Sequence, residues 1–168
     1  MNVKEFINSV LVGEFKSIQQ ESGHHYLSFG LIAQGIEFLG ACLDNYDFFK
    51  ENESRTRFNL AISELFPIKY HSYIGTKGTP YNLFDNLRCG ILHTLVPKPV
   101  LELIQEIEKK DFGEHLEIKE IRNRPRLILI SQELMKDFEN ACNDIIYKID
   151  NHSISNDKVY KEFFSTEP

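Results

Sequence analysis

The sequence predicts a mainly α fold: a bundle of four to five helices with a small antiparallel β hairpin or sheet set in before the last long helix. Three observations carry that prediction. Apolar residues recur at spacings of three and four through much of the first 97 residues and again over 131–150, the period of a helix face. Residues 26–43 are almost all apolar, with only Gln34 and Glu37 as strongly polar interruptions. Residues 100–130 differ: His115-Leu116-Glu117-Ile118 alternates, and Arg126-Leu127-Ile128-Leu129-Ile130 is a short apolar run, both strand patterns.

A chain of 168 residues is long enough for one domain with a real core, helical over 2–97 and 131–150 with the β-containing insertion at 100–130. Hydrophobic residues make up 42 % and charged residues 26 %, a globular balance, and 13 Phe with 7 Tyr and no Trp imply an aromatic interior. The net charge of −6 argues against bulk polyanion binding and leaves room only for a local basic patch. Cys42, Cys89 and Cys142 are odd in number, lack CxxC spacing and lie in apolar contexts, so free buried thiols in a reducing compartment are expected. Glu5 falls where a signal peptide would build its apolar run, so a cytoplasmic protein without an export signal is expected.

Asn2 is suited to cap a first helix reaching Gln20, with Val3, Phe6, Ile7, Val10, Leu11 and Ile18 on its apolar side and Glu21-Ser22-Gly23 ending it. His24-His25 follows. Adjacent histidines do not converge on one ion without further ligands nearby, so cap or surface roles are expected and no metal. The 26–43 stretch approaches the length of a membrane span. An acid at its centre would cost about 2.5–3.5 kcal/mol in lipid, so a buried core helix fits better. Gly30, Gly35 and Gly40 each sacrifice about 1 kcal/mol of helix propensity against Ala, which close approach of a neighbouring backbone would explain. A buried Glu37 needs a partner, and Arg88 is the basic residue of the other strongly apolar helix; the two are predicted to meet.

The polar stretch 44–54 carries Phe48-Phe49 within it. Residues 54–66 then form a helix with Phe58, Ala61, Ile62 and Leu65 on one face, ended by Pro67. The loop 68–79 contains Gly75-Thr76-Lys77-Gly78-Thr79, which lacks the order of a phosphate-binding loop and follows no strand. Beyond Pro97-Lys98-Pro99, residues 100–108 suit strand or helix equally. Arg122, Arg124 and Arg126 cluster around the hairpin turn, either as solvated turn residues or as contacts to a nucleic acid or other anion. Ser131 is the expected cap of the last long helix, whose apolar line is Leu134, Met135, Phe138, Cys142, Ile145, Ile146 and Ile149; Val159, Tyr160, Phe163 and Phe164 are expected to dock the tail.

The stretch 81–95 organises the functional reading. Thr79 is the expected N-cap and Pro80 the first helical residue, with Pro97 as the stop. At about 100° per residue, Leu83, Phe84, Leu87, Ile91 and Leu95 share a core face, while Asn82, Asn86, Cys89 and His93 share the opposite one. That second face is small and polar rather than charged, and reads as a contact surface. Arg88 and His93 diverge by about 140° on one helix, so two copies facing across a two-fold would be needed to bring them together; Cys89 and Gly90 would let the helices approach.

Arg88-Cys89-Gly90-Ile91-Leu92-His93, an arginine, four residues and a histidine on the fourth helix of an α-rich chain, resembles the signature of the HEPN superfamily. The resemblance covers residues 1–97 and extends to the helix starting at Ser131. It implies a helical bundle that dimerises, with arginine and histidine of two subunits meeting at the interface. Many members are metal-independent ribonucleases of toxin–antitoxin, CRISPR and anti-phage systems; others are inactive or bind nucleotides. For this chain it implies His93 moving the proton of a ribose 2′-hydroxyl, Arg88 stabilising the charge on phosphate and Asn86 orienting either group, with no cofactor. Glu37, Cys89, Arg122, Arg124 and Arg126 are the supporting or substrate-binding candidates. The implied partners are a second copy through the Asn82/Asn86/Cys89/His93 face, an RNA or nucleotide, and a protein antitoxin; no membrane is implied. Active members usually carry a polar residue directly after the arginine, where this chain has Cys89. Three functions therefore stay open: an RNA-cleaving dimer, a non-catalytic nucleotide- or protein-binding dimer, and an unrelated helical interaction protein.

Overall fold

The computed structural model describes residues 1–21 and 25–162. The expected helix end at Ser22-Gly23, His24 of the histidine pair, and Phe163 and Phe164 of the tail lie outside the described residues. The chain is mainly helical with one three-stranded sheet among the described residues.

The first helical run begins with α1 (Val3–Phe6), widens into a π-helical stretch (Ile7–Glu14) and closes as α2 (Phe15–Gln20). Asn2 caps it through a reciprocal pair: its side chain accepts from the Glu5 amide, and the Glu5 carboxylate accepts from the Asn2 amide. The buried line is Val3, Ile7, Leu11 and Phe15, four residues apart each time. At about 100° per residue such a line drifts by about 40° per step, and the wider π turns cancel that drift. Ile18 is only half-buried, and Phe15 takes the position the helix period had assigned to it.

The long apolar helix α3 (His25–Leu43) is the hub, packed by α2, by α4 (Ser54–Leu65), by α7 (Ser131–Asp150) and by the helix of residues 84–94. It is long and apolar enough to cross a membrane by length and composition, yet 61 % of that stretch is buried within this chain. A Cβ added at Gly40 would strike the Arg57 backbone carbonyl, so α3 and α4 touch backbone to backbone there. Gly30 and Gly35 receive side chains instead, Ile91 and Phe138.

The stretch 81–95 departs from its expected form at both ends and in the middle. Thr79 and Pro80 lie in a turn, and Asn82 is the cap, its Oδ1 accepting from the Asp85 amide at 3.1 Å. A π-helical segment (Phe84–Arg88) leads into α5 (Cys89–Thr94). The helix stops before Pro97, at Leu95, which adopts the left-handed conformation with φ 56°.

The sheet is mixed rather than antiparallel. β1 (Leu101–Ile104) pairs parallel with β3 (Arg124–Ile130), and β2 (Ile118–Ile121) pairs antiparallel with β3, giving the order β1-β3-β2. The last strand in sequence inserts between the first two, so β1 bonds to β3 and not to its successor. Leu127, Ile128, Leu129 and Ile130 are fully buried, as a central strand covered on both faces requires. Arg122 and Asn123 form the two-residue hairpin, both with positive φ (53° and 61°), the turn whose twist matches the strands. The connection from β1 to β2 carries the short helix α6 (Lys109–Phe112), and β3 runs directly into α7. Ser131 is therefore inside the first turn, not a cap, and its hydroxyl bonds the Gln132 side chain. Val159 is buried at the tail, and residues 2 and 162 form an antiparallel bridge.

The backbone contact at Gly40 gives a direct test. Gly40→Ala should destabilise the chain by about 1–3 kcal/mol, measured as a lower urea midpoint, because the helix-propensity gain is outweighed by forcing α3 from α4.

Candidate functional site

The predicted partnership of Glu37 and Arg88 is formed. Arg88 Nη2 and Nε lie 2.8 Å and 2.9 Å from Glu37 Oε2, with both side chains mostly shielded (17 % and 22 % exposed). The Arg88 guanidinium also rests over the Phe84 ring at 5.3 Å, and that of Arg55, tied to Asp85 at 2.6 Å, lies over the same ring at 4.6 Å. Helices α3 and α5 run antiparallel: the Tyr26 hydroxyl donates to the Leu95 carbonyl, Gly30 meets Ile91, and Glu37 meets Arg88.

His93 stands apart from this pair. It is exposed on α5 and makes no hydrogen bond among the described residues. Arg88 and His93 are thus not assembled into one site within a single chain, as their angular separation of about 140° requires.

Only part of the expected polar contact face lies at the surface: His93 is exposed and Cys89 half-buried, but Asn82 and Asn86 are not. The π segment rotates the residues before it by roughly a quarter turn relative to α5. Asn82 is 0 % exposed and Asn86 9 %. Asn82 Nδ2 donates to the Gly75 carbonyl at 3.3 Å, Asn86 Nδ2 to the Asn82 carbonyl at 2.8 Å, and the Lys98 amide donates to the Asn86 carbonyl at 3.0 Å. Both asparagines staple loops to the helix start, so Asn86 is a scaffold residue here and not a free orienting group. The space beside Gly90 is filled by this chain's own Val96, Pro97 and Lys98 rather than left for a second helix. Cys89 is half-buried, in contrast to the fully buried thiols of Cys42 and Cys142; all three are free.

The outward face of this helix pair is a different one. Tyr26, Leu27, Leu31, Gln34, Leu92 and Leu95 border a groove of about 450 Å³. Leu27, Leu95 and Val96 are exposed by 52 %, 70 % and 61 %. Beside it, past Gln34, lies a second cleft of about 390 Å³ that Glu37 and Arg88 line together with Phe6, Phe38, Phe48 and Phe49. The aromatic wall was legible only as Phe48-Phe49 standing in a polar stretch.

The basic cluster at the hairpin is smaller than its sequence. Arg126 is drawn to β1, its Nη1 2.7 Å from Glu102 Oε2, while Arg122 and Arg124 remain exposed at the hairpin tip. No three His, Cys, Asp or Glu side chains gather for a metal ion among the described residues.

Two further polar clusters are structural. Arg57, almost fully buried, binds Asp44 and the carbonyls of Asp47 and Phe48, and Lys158 binds Asp44 from the tail. Burial alone would raise the Asp44 carboxyl, but the hydrogen bonds from Arg57 and Lys158 outweigh it and hold it below the usual range. At the sheet–helix joint, His115 Nδ1 accepts from the Ile130 amide at 2.9 Å, which leaves Nε2–H to donate to the Tyr70 hydroxyl, and Tyr70 donates to Asp137 at 2.8 Å. Burial, helped by nearby Lys69, pushes the His115 ring down to about 4.

Comparison with protein-family models, with curated proteins and with solved structures yields no match.

A double-mutant cycle of Glu37→Ala and Arg88→Ala should give a coupling of about 1–2 kcal/mol, read from urea unfolding at neutral pH. His115 predicts a second, pH-dependent effect. Its folded value lies below the ordinary 6.5, so its contribution is complete above 6.5 and is lost as pH falls toward 4. Between pH 7 and 4.5 that loss should reach about 2–3 kcal/mol, and His115→Gln should lose less stability over the same interval.

Proposed function

We propose that this chain is a HEPN-like subunit that works as a homodimer through the outer face of α3 and α5, where it cleaves RNA without a metal. The observation that carries the reading is the apolar groove along Leu27, Leu31, Leu92 and Leu95, next to an exposed His93 and an oriented Arg88. A contiguous apolar surface of this kind marks an association site on a protein that is otherwise charged. A two-fold through that groove brings His93 of one copy toward Arg88 of the other, which a single helix does not achieve.

In this reading His93 removes the 2′-hydroxyl proton as that oxygen attacks the adjacent phosphorus. The 5′-oxygen of the next nucleotide departs with a proton, leaving a 2′,3′-cyclic phosphate. Imidazole can act both as general base and as general acid, which suits it to both transfers. Glu37 holds Arg88 through Nε and Nη2, so Nη1 is the edge that meets the phosphate charge. Arg122 and Arg124 at the hairpin tip are candidate backbone contacts for the RNA strand. The biological setting consistent with this is a cytoplasmic toxin–antitoxin or anti-phage system, with a protein antitoxin as the controlling partner.

A second reading, a non-catalytic dimer that binds a nucleotide or a protein, is favoured by two facts. The Arg88 charge is neutralised by Glu37, and Cys89 stands where active members usually carry a polar residue.

Sedimentation of the purified chain should show a dimer that Leu92→Glu converts to a monomer. Single-stranded RNA should be cut in EDTA, and Arg88→Ala or His93→Ala should each slow cleavage by at least about a hundredfold with unfolding midpoints retained for His93→Ala. A dimer without cleavage selects the non-catalytic reading; a monomer overturns both.

A further inference from the structure

The loop that leads into the helix of residues 84–94 and the segment that follows it border a cleft of about 360 Å³, which the cleavage chemistry does not use. Lys77, Thr79 and Tyr81 line it from the loop and Lys98 from the later segment, with Asp85 and Asn86 of the helix between them. Both backbone walls are held in place. The Gly75 carbonyl accepts from Asn59 Nδ2 at 3.1 Å as well as from Asn82, and the Thr79 amide donates to the Thr76 carbonyl at 3.2 Å. On the other wall the Lys98 amide is tied to the Asn86 carbonyl, between Pro97 and Pro99. Tyr81 adopts the left-handed conformation with φ 55°, which is uncommon for a large side chain.

The charges in this cleft do not balance. Asp85 is its one acid among the described residues, and Arg55 already answers it from behind, with Nη2 and Nη1 at 2.6 Å and 3.1 Å from the two carboxylate oxygens. Those bonds hold the Asp85 carboxyl below the usual carboxylate range, and Lys98 and Lys77 add to the effect. Neither lysine has an ion-pair or hydrogen-bond partner for its ammonium group among the described residues. The same holds for the hydroxyls of Thr79 and Tyr81. Two uncompensated positive charges and two unused hydroxyl donors therefore line one cleft, in a chain whose net charge is −6.

We propose that this cleft binds a terminal phosphate group, free or as the monoester end of a nucleotide, through the ammonium groups of Lys77 and Lys98 and the hydroxyls of Thr79 and Tyr81. A phosphomonoester carries close to two negative charges at neutral pH and three strong acceptor oxygens, which matches two ammonium groups and two hydroxyls. A carboxylate ligand would leave one lysine unanswered. Lysine binds phosphate as a point charge, so the site does not need the convergent amides of a phosphate-binding loop, whose order 75–79 lacks. The cations come instead from two segments that the 84–94 helix brings together. Arg88, Glu37 and His93 take no part, and the inference stands without the ribonuclease reading.

Calorimetric titration of the full chain with inorganic phosphate, uridine 5′-monophosphate and uridine tests this. Both phosphate compounds should bind and uridine should not. Tighter binding of the monophosphate assigns the cleft to a nucleotide end, and equal binding assigns it to free phosphate. Lys77→Ala and Lys98→Ala, both at exposed side chains, should keep the unfolding midpoint and each weaken binding by about fivefold or more. Lowering the pH from about 8 to about 5 takes a monoester through its second pKa near 6, and should weaken uridine monophosphate binding to a similar degree. Binding of neither phosphate compound, binding of uridine as tight as its monophosphate, or binding indifferent to both lysine substitutions overturns the proposal. Because His93 lies outside the cleft, His93→Ala should bind phosphate as the unaltered chain does, whether or not that chain cuts RNA.

Discussion

The helical half of this molecule depends on how closely α3 lets its neighbours approach. Gly30, Gly35 and Gly40 are five residues apart, so each points about 140° from the last around the helix axis. Each direction receives a different neighbour: Ile91 of α5, Phe138 of α7 and the Arg57 backbone of α4. A helix of average composition would hold those elements at the usual 8–10 Å spacing or so. Here three small notches set three contacts, and the loss of helix propensity at each is offset by burial on several sides. The Glu37–Arg88 pair follows from the same arrangement, because the approach at Gly30 brings α5 alongside α3 in the antiparallel sense.

Much of this was legible from residue spacing. The helices at 2–20, 25–43, 54–65 and 131–150, the Asn2 cap and the partner of Glu37 all follow from period, capping and the cost of an unpaired buried charge. Helical phase was less legible. Two π-helical stretches, Ile7–Glu14 and Phe84–Arg88, alter the residue count per turn, and a face computed at 100° per residue is wrong beyond them. In the first stretch, the four-residue spacing of Val3, Ile7, Leu11 and Phe15 was a visible sign. In the second, no comparable sign exists, and Asn82 and Asn86 turned inward while Cys89 and His93 kept their places.

The sheet illustrates a different limit. β3 was recognisable by its unbroken Leu-Ile-Leu-Ile, and that same continuity reports a central strand. Strand order, though, is set by where the 105–117 connection deposits the chain, and nothing local in 100–108 encodes a parallel neighbour. The arginines around the turn show why a cluster in sequence is not a patch in space. Alternation sends Arg126 sideways to Glu102, leaving Arg122 and Arg124 exposed at the tip. Of the residues expected to share one contact face, Asn82 and Asn86 are buried while His93 is exposed.

The direct passage of β3 into α7 at Ile130–Ser131 ties the sheet to the helical bundle. No loop separates them, and the Ile130 amide donates to His115 Nδ1, so strand and helix are one continuous segment. It begins at the hairpin around Arg122, and its helix meets the Gly35 notch of α3 through Phe138. The β segment is therefore not a removable cassette laid on a helical bundle. The hairpin and the hub helix are joined through one continuous strand–helix segment, with no loop between Ile130 and Ser131.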